Sequence, residues 1–173
     1  TATITPPESN PSYQQYLKQI NYQAVPANQF MLKKEDQKLR QDARYRIIAH
    51  LAWRQTILAP QYSQPLHIFG GKTFSSNGQA SPADSQTYND SLHYELNGLV
   101  NIDLNRYFNL RFNLLFTEPS GSLPTIDNYT TSNTGNFSYF HLIQTRRTRS
   151  QLLNYIDHPL YGVLFSIRKV KKS

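Results

Sequence analysis

The chain has no cysteine among its 173 residues. That excludes disulfides, thiolate metal sites and a cysteine nucleophile, and it leaves the redox compartment open. No run approaches the ~20 apolar residues that a membrane-spanning helix requires, so no spanning segment is expected. Nor is there a signal-peptide pattern, as in a mature chain that has shed one. Acidic residues are scarce, with 11 Asp+Glu against 18 Lys+Arg and a formal charge of +7. This balance suits anionic polymers or acidic proteins as partners and says nothing about fold.

Catalytic patterns are missing too. The histidines (His50, His67, His93, His141, His158) are scattered, with no pair one helical turn apart, so no metal site and no cofactor are expected. There is no Gly-x-Ser-x-Gly elbow, and Gly70-Gly71 is followed by neither a helix nor Gly-Lys-Ser. Glu95 and Asp103 lie far apart along one strand face, unlike the facing carboxylates of a glycosidase. Asp157 and His158 are neighbours in a turn, where adjacent side chains usually diverge. The expectation is a protein that is not an enzyme.

What is present is alternation. Leu96, Val100, Ile102 and Leu104 continue in one register with Phe108, Leu110, Phe112, Leu114 and Phe116, while Asn, Asp and Arg fill the other. A turn at Asn105-Arg106-Tyr107 pairs Leu104 with Phe108, Ile102 with Leu110 and Val100 with Phe112. This is an antiparallel hairpin with one buried and one solvated face. It places Glu95 and Asp103 on the wet side. Before it, Leu66 to Phe69 reads as a strand ended by Gly70-Gly71, and Thr73 to Asn89 as a flexible loop. After it, Glu118 to Asn136 reads as a surface loop and Phe137 to Thr145 as a strand.

The front half is less periodic. Thr1 to Pro11 is a Pro-rich arm. Ser12 caps a short helix bearing Tyr13, Tyr16, Leu17 and Ile20 on one face, which docks on its own domain or in a partner groove. Phe30 to Ala43 reads as a second helix. From Tyr45, apolar residues alternate as far as Trp53, which predicts a strand with Arg44, Arg46, His50 and Arg54 in a row on one face. A helix through Ile47, Ile48, Leu51 and Ala52 is the rival reading. The domain division expected is a Pro-rich arm with its helix over residues 1–29 and a β-rich domain over 30–173.

The arginines gather near the C-terminus, in Gln144-Thr-Arg-Arg-Thr-Arg-Ser150. A stiff turn follows at Asp157-His158-Pro159, then a strand in which Tyr161, Val163, Phe165 and Ile167 alternate. Along a strand Arg147 and Arg149 share a side and Arg146 takes the other. Forked guanidinium groups hold carboxylate or phosphate. Arg146, Arg147, Arg149 and Arg54 are therefore candidate ligand contacts, with Tyr155, Tyr161 and Trp53 as ring platforms and Asp157 and His158 in the turn. The alternative is structural: the arginines pin the turn through Asp157, Glu95 and carbonyl oxygens. The basic tail from Arg168 reads as solvated.

Two blocks carry a resemblance. Arg-Arg-x-Arg-Ser followed by Tyr-x-Asp-His-Pro-Leu-Tyr-Gly-Val-Leu, with Tyr45-Arg-Ile-Ile-Ala-His-Leu-Ala-Trp-Arg-Gln55 upstream, resembles the CsiV family of periplasmic peptidoglycan-binding proteins from gamma-proteobacteria. The similarity spans roughly residues 39–170. The alternating strand with which family members usually open is not found here. The resemblance favours the strand reading at Tyr45 and implies peptidoglycan as ligand, a periplasmic location, and support of wall synthesis through an outer-membrane lipoprotein. It argues against nucleic acid, for which no helix-turn-helix, finger or RNA motif speaks. The expected fold is α+β and mainly antiparallel, an open or half-closed sheet of five or six strands with one or two N-terminal helices. The runner-up function is an accessory subunit of a large cell-envelope assembly, such as a secretion-system core. The Pro-rich arm, the long Asn/Ser loops and the missing first strand favour it.

Overall fold

Alternating apolar residues build the centre of the computed structural model, which describes residues 11–81, 92–121 and 131–170. In chain order come helix α1 (Pro11–Gln19), strand β1 (Gln23–Ala24), a 3-10 turn (Ala27–Gln29) and helix α2 (Lys33–Gln41). Strands β2 (Trp53–Arg54), β3 (Leu66–Phe74), β4 (Ala80–Ser81), β5 (His93–Leu104) and β6 (Phe108–Pro119) follow. The chain ends with β7 (Thr131–Thr134), β8 (Phe137–Thr148), β9 (Asn154–Asp157) and β10 (Gly162–Phe165). The main sheet is antiparallel and open, in the order β4-β3-β5-β6-β8-β7. Two small antiparallel pairs, β1 with β2 and β9 with β10, make separate two-stranded sheets. The α+β, mainly antiparallel architecture read from the sequence is the one observed.

The β5–β6 hairpin has the register its sequence requires, with Leu104 opposite Phe108, Ile102 opposite Leu110 and Val100 opposite Phe112. These side chains, with Ile68, Leu96, Leu114 and Leu142, form a buried cluster. At about 1.5–3 kcal/mol per large apolar side chain, this face is the chief source of stability. No helix covers it. Residues between Ile48 and Ile57 cross one part, and Ile156, Tyr161, Val163, Phe165 and Ile167 cover another.

α1 docks on its own domain. Tyr16 and Ile20 are buried with Leu66, flanked by Tyr13, Leu17, Trp53 and Leu58. Its tyrosines also bond to the outer edge of the sheet: the Tyr13 hydroxyl accepts the His67 N–H at 2.9 Å, and the Tyr16 hydroxyl accepts the Gln64 N–H at 3.0 Å. α2 is shorter than expected, because Leu32 takes a left-handed conformation (φ 58°) at its start. It buries no residue. Asp36 ties it inward through His50, whose other ring nitrogen meets the Met31 carbonyl oxygen at 3.0 Å.

Several expectations are corrected, among them the loop read from Glu118 to Asn136, which holds β7 and its pairing with β8. Residues 45–52 form no strand and no helix; the segment is irregular, with only Trp53–Arg54 pairing with Gln23–Ala24. Its cations do not form a row, since Arg44 binds Asp42, Arg46 binds Glu95, His50 meets Asp36 and Arg54 is solvent-exposed. Gly70-Gly71 does not end β3 either. The strand continues to Phe74 through a bulge, with Gly71 at φ +80°. Finally, Glu95 and Asp103 are fully buried instead of wet. The arm before Pro11, most of the loop after Ser81, residues 122–130 and the last lysines lie outside the described residues.

Candidate functional site

The open face of the sheet meets the arginine-rich strand end at one corner. Pairing of Phe108 with Thr148 sets the β5–β6 turn beside the end of β8. Strand alternation puts Arg147 on the open face, opposite Asn109, and sends Arg146 the other way, where it donates to the Tyr155 carbonyl oxygen at 3.3 Å. The turn residue Tyr107 then lies among cations. The guanidinium carbons of Arg147, Arg149 and Arg106 lie 5.6, 5.4 and 5.7 Å from its ring centroid. Each such contact contributes about 0.5–1 kcal/mol at an exposed site.

A shallow cleft of about 420 Å³ opens here, lined by Tyr107, Arg147, Thr148, Arg149, Leu152 and Asn154. Its floor is braced. Asn154 donates to Thr148 Oγ1 at 2.8 Å and to the Leu152 carbonyl oxygen at 3.0 Å. Gln151, left-handed at φ 70°, donates its backbone N–H to the Ile167 carbonyl oxygen at 2.7 Å. Leu152 is half exposed.

Among the described residues Arg106, Arg147 and Arg149 join no ion pair. The carboxylate in the same cross-strand row as Arg147, Asp103, is two strands away, about 10 Å at ordinary strand spacing. It is taken by Arg111 at 2.7 Å and by the Asn109 amide at 2.9 Å. The corner is thus cationic and accessible.

The other sequence candidates are distributed differently. Tyr155 is exposed and donates to Asp157 at 2.8 Å, with its ring lying over Gly162. Tyr161 packs against the core and Phe116, and burial pushes its phenol up. His158 is buried, accepts the Leu160 N–H at 3.3 Å and stacks on Tyr161; burial pushes its imidazole down. Trp53 packs within the α1 cluster and donates to Gln55 at 2.6 Å. The ring platform beside the arginines is Tyr107, which the sequence reading missed along with Arg106, Leu152 and Asn154. Only the pairing of β6 with β8 brings that turn to the arginines, and no motif encodes it.

A second charged cluster stabilises the fold at the β3 bulge. Burial pushes the Glu95 carboxyl up, but hydrogen bonds from Arg46 and the Lys72 backbone N–H hold it below the usual range. Glu118 beside it is raised, by burial first and then by the Glu95 charge.

A family model described as "Peptidoglycan-binding protein, CsiV" matches residues 9–170. The chain belongs to the CsiV family. The match takes in α1, which the resemblance at residues 39–170 left out. No curated protein and no solved structure matches the chain. The two signature blocks have separate tasks in this CsiV fold. The Tyr45–Gln55 block crosses the apolar face, and the arginine block ends in the Tyr107 corner.

Proposed function

We propose that this chain is a non-enzymatic periplasmic protein that binds peptidoglycan at its Tyr107–Arg147–Arg149 corner and supports cell-wall synthesis or envelope integrity. One observation carries the site. Arg147 and Arg149 converge on one ring beside an open cleft and pair with no described carboxylate. Peptidoglycan carries free carboxylates on its peptide stems, and guanidinium forks bind carboxylates in two parallel hydrogen bonds. The family description and the net charge of +7 support the same reading. An outer-membrane lipoprotein is the partner the resemblance implies.

The test is cosedimentation with protein-free murein sacculi at low and high salt. Pelleting should weaken from 0.05 to 0.5 M salt as the Debye length shrinks to a few ångströms. Arg147→Ala with Arg149→Ala should abolish it while the chain stays folded, the midpoint falling by no more than the few degrees that two lost ring contacts of about 0.5–1 kcal/mol each account for. Salt-independent pelleting counts against the arginines, and an unfolded double variant makes them structural.

A second reading, accessory subunit of an envelope assembly, is favoured by one feature. From His141 to Thr148 the outer edge of β8 has no described strand partner, and Ile143 there is 71% exposed. Such an edge accepts another chain. Co-purification of stoichiometric envelope proteins, with no sacculus binding, would favour this reading.

A further inference from the structure

We propose that the Tyr107 corner is a subsite for a stem-peptide carboxylate borne on a small apolar residue, and that it does not hold the glycan. This rests on the peptidoglycan reading and narrows it to one part of the polymer.

The charge arrangement calls for an anion. Three guanidinium carbons within 6 Å of one ring centroid lie within about 11 Å of each other. A cation–π contact keeps each group near the ring, and no described hydrogen bond uses their N–H groups, which stay available to an acceptor. No described carboxylate neutralises them. An incoming carboxylate would relieve the mutual repulsion of the two cations that line the cleft, Arg147 and Arg149.

The walls narrow the choice. Leu152, 51% exposed, sets an apolar side chain against Arg147 and Arg149 in the same cleft. A carboxylate on an alanine would place its charge on the guanidiniums and its methyl group on Leu152. A bare phosphate would leave the leucine unused. The side-chain N–H groups of Asn154 are engaged by Thr148 and the Leu152 carbonyl, which leaves its side-chain oxygen as the group this cleft-lining residue can offer to a peptide N–H.

The glycan fits poorly. Sugars bind proteins largely by laying C–H faces on open aromatic rings. Guanidiniums already lie over Tyr107, and among the described residues it is the one aromatic that lines the cleft.

The experiment compares four probes by isothermal titration with the full chain. They are a disaccharide-tetrapeptide muropeptide, the same muropeptide with its carboxylates amidated, stem-free glycan strands, and inorganic phosphate. Intact sacculi are pelleted in parallel. The expected result is salt-sensitive muropeptide binding, at least tenfold weaker for the amidated form, with glycan strands and phosphate weaker still. Arg147→Lys with Arg149→Lys, which keeps charge and loses the fork, should weaken muropeptide binding severalfold; Leu152→Ser should do so without changing the salt dependence. If amidated muropeptide or glycan strands bind as tightly as the unmodified muropeptide, the subsite is wrong and the peptidoglycan reading stands. Phosphate binding as tightly as muropeptide makes it a general anion site and overturns the stem assignment. If intact sacculi fail to pellet the wild-type chain, the peptidoglycan reading itself falls.

Discussion

Gly98 lies mid-way along β5, opposite Leu114 on β6 and Ile68 on β3. A β-carbon there would stand 2.7 Å from Leu114 Cα and 3.0 Å from Leu114 Cδ2, and closer still to the Asn113 carbonyl oxygen. Two of these obstacles are backbone. Gly98→Ala must therefore push β5 from β6 along a register of nine paired positions, from Leu96–Phe116 to Leu104–Phe108. Overpacking costs about 1–3 kcal/mol where side chains can adjust, and a backbone obstacle puts this site at about 3 kcal/mol. At about 2–4 °C per kcal/mol for a chain of this size, the midpoint should fall by roughly 6–12 °C. Gly162→Ala is the control. The atoms nearest its β-carbon all belong to the exposed Tyr155 side chain, which can swing aside, so the cost should be about 1 kcal/mol or less. Differential scanning calorimetry reads both. If Gly98→Ala melts within 2 °C of wild type, β5 and β6 do not approach so closely, and the account of the sheet centre is wrong.

The Glu95–Glu118 pair predicts a stability maximum in mild acid. Glu95 is held low, so its contribution is present above the ordinary glutamate range and lost as pH falls through its folded pKa. Glu118 is raised, so its contribution is full below that range and lost as pH rises through its folded pKa. Thermal melts from pH 3 to 8 should flatten on the alkaline side in Glu118→Gln; an unchanged profile refutes the pairing. Tyr13→Phe and Tyr16→Phe each remove a hydroxyl from an edge amide and should cost about 1 kcal/mol apiece, measured by urea unfolding. No loss in either would mean that water replaces the hydroxyl freely.

How much of this was legible in the sequence depended on what holds each segment. The hairpin was fully legible, register included, because a period of two and a short turn leave one pairing that buries apolar against apolar. The C-terminal turn was legible as well. His158 and Tyr161 close it with reciprocal backbone bonds, and Tyr161, Val163, Phe165 and Ile167 all pack on the core. Tyr45 to Ala52 alternates just as clearly and yet forms no ladder. Its polar residues are drawn to different places, Arg46 to Glu95 on β5 and His50 to Asp36 on α2, which side-chain chemistry decides and periodicity does not register. Glu95 looked solvated for the same reason, since its partners Arg46 and the Lys72 N–H come from distant sequence. At the Tyr107 corner, the arginines and their split between two sides were readable, but the ring between them was not. Tyr107 looked like an ordinary turn residue, and its neighbours depend on which strand lies next to β6.

The cover of the apolar face has a consequence for how the chain reaches this state. The β5–β6 hairpin closes locally and can form early, but its greasy side is shielded by residues 48–57 from one end and 156–167 from the other. Contacts of such sequence separation make folding slow. Until the last of these residues arrives and docks, the partly folded chain carries an apolar sheet face open to water, the kind of surface that promotes aggregation. Deletion from Asn154 onward should therefore give an aggregating protein, although every strand of the main sheet remains.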